Sequence, residues 1–99
     1  MYVIREIMYC KPGKVRPLIE KFLAMAKLGE KSGMGKTRVM TDVSGEQYWT
    51  LIAEMETDSI DGFMSMNMDD ETTKQFEKIM EGYHDLVDHG RREIFKLET

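Results

Sequence analysis

The chain has 99 residues, 41% of them hydrophobic and 32% charged. That length and balance fit one soluble globular domain without a linker and argue against a disordered tail; no apolar run approaches the roughly 20 residues of a spanning helix. Lys and Arg number 14 against 18 Asp and Glu, a net charge of −4, and no basic block is long enough to mark a nucleic-acid binder.

The opening MYVIREIMYC carries Arg5 and Glu6 inside its apolar run, which breaks the hydrophobic region a secretory signal requires and makes a cytoplasmic protein the expectation. Residues 2 to 10 read as a first strand, closed by the break Lys11-Pro12-Gly13. Cys10, the single cysteine, has no partner for an intrachain disulfide or a CxxC motif and reads as a small buried side chain on that strand. The same KPG opens a helix, with Pro12 where a missing N–H costs nothing. Val15, Leu18, Ile19, Phe22, Leu23 and Ala26 recur at helical spacing, and the helix is expected to end near Gly33. GMGK at 33 to 36 lacks phosphate-loop spacing and belongs to the loop that follows.

Thr37 to Val43 alternates, SGEQ turns, and Tyr48 to Thr57 alternates again, predicting a hairpin. Its second strand has an apolar face of Trp49, Leu51, Ala53 and Met55 and a mixed face of Tyr48, Thr50, Ile52, Glu54 and Glu56. Asp58 is placed to cap a short helix from Ser59 to about Met66. Asp70 is placed to cap a stronger one, whose Phe76, Ile79, Met80, Tyr83, Leu86 and Val87 follow the 3.6 period until Gly90 stops it. Arg91 to Glu98 reads as the final strand.

Two strand-helix-strand halves predict an α+β, ferredoxin-like βαββαβ domain over residues 1 to 99, with a four-stranded antiparallel sheet, helices on one face and the other bare. Ile52, Met40 and Tyr48 with Ile94 or Phe95 are too apolar for a wet face. They alternate with Arg38, Glu54 and Arg92 or Glu93, so a homodimer formed sheet to sheet is expected.

KPGKVRPLIEKF after the first strand, the hairpin RVMTDVSGEQYWTLIAEME and the ending YHDLVDHGRREIFKLE together resemble the dimeric α/β-barrel superfamily, particularly its NIPSNAP-like and antibiotic-biosynthesis-monooxygenase-like members. The resemblance covers nearly the whole chain and implies the same fold, a homodimer, and either cofactor-independent monooxygenation, haem degradation, lactone isomerisation or a role without catalysis. For a monooxygenase it implies an apolar pocket with polar donors, for which His84, Tyr83 and Arg38 are the candidate catalytic residues, Arg38 as oxyanion partner, and Trp49, Phe63, Met64 and Met66 the candidate pocket wall. For haem degradation it implies a strand Trp and a helix His, matched in type by Trp49 and His84. It also implies an Asn early in the first strand, where this chain has Glu6 and Ile7.

Read as residues alone, Trp49 is a core anchor and His84 a hydrogen-bonded residue at the border of an apolar stripe. His89 serves a helix C-terminus. The alternation Met64, Met66, Met68 could gather thioethers around Cu(I), but fits better as the flexible wall of a cleft. No metal is therefore assigned, and haem or copper binding stands as a third reading. The expected partners are a second copy and an apolar small molecule, with neither nucleic acid nor membrane. A structural or interaction dimer without turnover is the competing reading.

Overall fold

The computed structural model describes residues 1–65 and 68–99. Its centre is strand β1, Tyr2–Cys10, which matches the predicted span and pairs antiparallel on both sides. β2 (Thr37–Thr41), β3 (Thr50–Thr57) and β4 (Val87–Lys96) complete a sheet of order β2-β3-β1-β4. Helices α1 (Val15–Lys31), α2 (Ile60–Met64) and α3 (Asp70–Ile79) complete the ferredoxin-like α+β arrangement. Among the described residues, no helix is long and apolar enough to cross a membrane.

Side chains alternate across a strand, so β1 serves two environments at once. Cys10 of β1 packs with Leu51 and Ala53 of β3 against Leu18 and Phe22 of α1, and Leu18 and Leu51 are fully buried. Burial on that scale is worth about 1.5–3 kcal/mol for each large side chain. The opposite face of β1 carries Arg5, Ile7 and Tyr9, and Ile7 and Tyr9 are buried there without help from a helix.

Several predicted boundaries move, each for a local reason. Lys11 to Gly13 form a turn, and α1 begins only at Val15, so Pro17 and not Pro12 sits in the first helical turn, where a missing N–H breaks no helical bond. β2 stops at Thr41 and β3 starts at Thr50, because the Asp42 carboxylate accepts the Thr50 N–H at 2.9 Å and closes the intervening loop. Tyr48 and Trp49 therefore lie outside the strand. Ser59, not Asp58, caps α2, its hydroxyl accepting the Gly62 N–H at 3.0 Å; Asp69, not Asp70, caps α3, accepting the Thr72 N–H at 2.6 Å.

The largest departure is at α3, which ends at Ile79 instead of running to Gly90. Gly82 takes a left-handed conformation (φ 81°) and a 3₁₀ turn, Tyr83–Asp85, follows. Lys21 of α1 donates through Nζ to the carbonyls of Ile79 (3.2 Å) and Glu81 (2.7 Å), satisfying acceptors that the broken helix leaves free. β4 consequently starts at Val87, and both His89 and Gly90 belong to it. Its register sends Arg92 and Ile94 to the helix side and Glu93 and Phe95 to the open side, resolving the two alternatives the sequence left.

Gly90 lies directly across from Met8. A Cβ there would stand 2.8 Å from the Met8 sulfur and 3.0 Å from the Ile7 carbonyl oxygen, and the latter is backbone that cannot swing away. Gly90→Ala is expected to lower unfolding stability by about 1–3 kcal/mol, the range for overpacking, measurable by denaturant titration with an unchanged m-value. An unaltered midpoint would show that β4 does not approach β1 this closely.

Candidate functional site

The site begins with two consecutive charges on a central strand, where neither neighbour in sequence can share a face. Glu6 points to the helix side and Arg5 to the open side. Each finds a partner of opposite charge there.

On the helix side, Glu6 is directly opposite Arg92 of β4, and the Arg92 Nε donates to the Glu6 carboxylate. The Glu6 side chain is 19% exposed and that of Arg92 44%. This face otherwise collects Met8, Leu51 and Ala53 for the helix layer, so an ion pair here marks a place the helices leave uncovered. Arg92 also holds the short helix α2: its Nη1 is 3.6 Å from the Met64 sulfur and its guanidinium carbon 5.4 Å from the centre of the Phe63 ring. Next to the pair the 3₁₀ turn presents Tyr83 and His84, whose rings lie 4.0 Å apart at 34°. Glu6, Met8, Tyr83, His84 and Arg92 line a cavity of about 450 Å³.

On the open side, Glu54 of β3 is only 6% exposed and lies between Arg5, 2.7 Å away, and Arg38 of β2. The Arg5 hydrogen bond is the main cause that holds the Glu54 carboxyl below the usual carboxylate range; Arg38 adds to it and burial opposes it. Arg91 and Glu93 pair at 3.1 Å, and Arg5 stacks over Phe95 at 5.4 Å. His89, expected at a helix end, instead packs its ring against Tyr9 at 4.7 Å.

The structure thus separates the predicted site residues. Tyr83 and His84 share one cavity; Phe63 and Met64 touch its Arg92 but do not line it. Arg38 is on the far face, committed to Glu54. Trp49 is not a core anchor: it is 44% exposed, has φ +60°, and lies beside the start of α1 in a different cavity. Met66, the middle residue of the alternating Met trio, lies outside the described residues. Met64 is 63% exposed and Met68 37%. Among the described residues no group of three or more His, Cys, Asp or Glu could hold a metal ion. Cys10 is buried as expected, and burial first, then the Asp42 charge, pushes its thiol pKa up. The residues that sequence reasoning passed over are Glu6, noted as a charge that breaks a secretory signal and where an Asn was implied, and Arg92, placed with Glu93 as one of two alternatives on the bare face. Opposite charges on the first and last strands were the available clue, but linking them needs the β1–β4 register.

No protein-family model matches the sequence, and neither does any curated protein. Solved structures do. An uncharacterised NIPSNAP-like domain protein from Burkholderia xenovorans superposes with a TM-score of 0.73 at 9% identity, covering 99% of this chain and 85% of that one. A candidate antibiotic biosynthesis monooxygenase from Deinococcus radiodurans gives 0.69 at 10% identity, covering 100% and 94%. A protein of unknown function from Bacteroides fragilis, described as dimeric with a ferredoxin-like fold, gives 0.61 at 13% identity over 97% and 96%. The likeness is one of fold. It agrees with the resemblance carried by the sequence and assigns no residue a role.

The lowered pKa of Glu54 gives the open-face cluster a pH signature. A carboxyl whose folded pKa lies below its unfolded value, about 4.3, stabilises the protein above that unfolded value, and the contribution fades as pH falls through the folded pKa. Glu54→Ala is expected to cost about 1–3 kcal/mol at pH 7, discounted for the exposed arginines, with the gap to wild type closing below about pH 4. Denaturant curves over that range check it; a gap independent of pH would mean that the carboxylate charge contributes nothing.

Proposed function

We propose that the chain binds a small, partly apolar molecule bearing an acidic oxygen, and does so as a homodimer paired through the open sheet face. One observation carries the ligand reading: the Glu6–Arg92 pair stands on the helix-facing side of the sheet, at the wall of a cavity that also holds Tyr83 and His84. An acidic oxygen of the ligand competes with Glu6 for the Arg92 guanidinium, which can offer a bidentate pair of N–H donors. Met8 and Tyr83 supply apolar wall, and His84 a second polar contact.

The pairing reading is supported by the composition of the open face. Phe95 is 49% exposed and Met40 39%, beside a buried Glu54 and a row of arginines. A second copy brings both apolar area and charges of either sign to such a surface. The Bacteroides neighbour described as dimeric has the same fold.

A monooxygenase-like reaction without a cofactor is the catalytic form of this reading. It suits a phenol or enol that ionises readily, with Arg92 holding the oxyanion in place of the Arg38 proposed from sequence, and Tyr83 and His84 orienting the ring. The neighbour described as a candidate monooxygenase favours it over isomerisation or haem chemistry. Without such a substrate the site is a binding site only.

The ligand reading makes a prediction of opposite signs. Titrated with anilinonaphthalene sulfonate, an apolar anion, the protein is expected to bind one probe per chain saturably. Arg92→Ala weakens that binding about tenfold, the scale of one charge-assisted contact, whereas Glu6→Gln strengthens it by freeing Arg92. Weakening by both substitutions would make the pair merely structural and reject the ligand assignment.

A further inference from the structure

A second cavity, of about 520 Å³, shares no residue with the Glu6–Arg92 cavity. One side is the beginning of α1, with Val15, Arg16 and Ile19; the other is the end of β2 and its loop, with Asp42, Tyr48 and Trp49.

Trp49 is the only non-glycine residue with positive φ among the described residues. A side chain in that region costs roughly 1–2 kcal/mol that glycine or, in part, asparagine escapes. Its backbone carbonyl accepts the Cys10 N–H at 2.8 Å, a bond any residue at this position would make. The indole is 44% exposed and Tyr48 beside it 86%, so core packing does not account for either ring. The backbone argues against a large side chain at Trp49 and the core calls for neither ring, while the cavity they line gives them a use.

Its charges are equally distinctive. Arg16 and Asp42 both face the cavity, yet no ion pair joins them among the described residues. Asp42 accepts the Thr50 N–H through Oδ1, which leaves Oδ2 for another donor. A ligand with only a negative end would meet Arg16 but be repelled by Asp42, and one with only a positive end would meet the reverse. A zwitterion satisfies both, and an apolar side chain on it has Trp49, Tyr48 and Ile19 to lie against.

We infer that this cavity is a second ligand site, taking an α-amino acid with an aromatic or large apolar side chain, its carboxylate at Arg16, its ammonium at Asp42 and its side chain on the Tyr48–Trp49 step. The site is independent of the Glu6–Arg92 cavity, and neither stands or falls with the other.

The chain has one tryptophan, so Trp49 emission and the single indole N–H resonance report on this place alone. With the full chain titrated by phenylalanine, both are expected to change saturably while the His84 ring resonances stay fixed. Hydrocinnamate, which lacks the amine, and phenethylamine, which lacks the carboxylate, each bind about tenfold more weakly, as do Arg16→Ala and Asp42→Asn, one charge-assisted contact being lost in each case. Asparagine keeps the Oδ1 acceptor for Thr50, so the loop closure survives while the charge is removed. The analogue series on the unmodified protein gives an answer even if a variant misfolds. No saturable change, equal binding of hydrocinnamate, or a response at His84 in place of Trp49 would overturn the assignment.

Discussion

The fold depends on the two-residue period of β1. Because Arg5 and Glu6 are consecutive on a strand hydrogen-bonded on both edges, one must face the helices and the other the open side. Each is flanked by a strand on either side and finds a partner of opposite charge on one of them: the register provides Arg92 for Glu6 and Glu54 for Arg5. A slip of one residue in either pairing would exchange the faces, strand two charges and expose Ile4. Register, burial and the placement of charge are therefore one constraint.

That constraint gives the two faces different roles. On the open side Glu54 is clamped by Arg5 and Arg38 and nearly closed to solvent, a cluster already satisfied within one chain. Its apolar neighbours Phe95 and Met40 stay partly exposed, so the proposed pairing rests on covered area more than on new ion pairs. On the helix side the Glu6–Arg92 pair is exposed enough to exchange partners, and Arg92 reaches it while holding Phe63 and Met64. The 3₁₀ turn that brings Tyr83 and His84 alongside exists because Gly82 ends α3 and Lys21 caps the carbonyls left behind.

Much of this architecture was legible in the sequence. A run of Val, Ile, Tyr and Met with only two charges and the KPG break defined β1, and the order of elements gave the ferredoxin-like sheet. The failures have physical causes. Met80, Tyr83, Leu86 and Val87 do pack against the core as their spacing indicated, but a short helix, a 3₁₀ turn and a strand present the same residues as one long helix does. Only Gly82 distinguishes them, and an isolated glycine is a weak stop. Trp49 continued the alternation of β3 on paper, while the Asp42–Thr50 bond and its own left-handed backbone take it out of the strand. Tyr83 and His84, adjacent in sequence, line one cavity, whereas Arg38 lies on a face that this cavity does not share. Glu6 and Arg92 were visible as charges and illegible as a pair, since 86 positions separate them.

A native mass spectrum of freshly purified protein tests most directly the claim that the two faces of this sheet have different partners. The account predicts a species of twice the 11.6 kDa chain, retained on dilution, because in the proposed pairing a second copy covers the open face. A clean monomer at every concentration would contradict it, leaving Phe95, Met40 and Ile52 as an ordinary solvated surface.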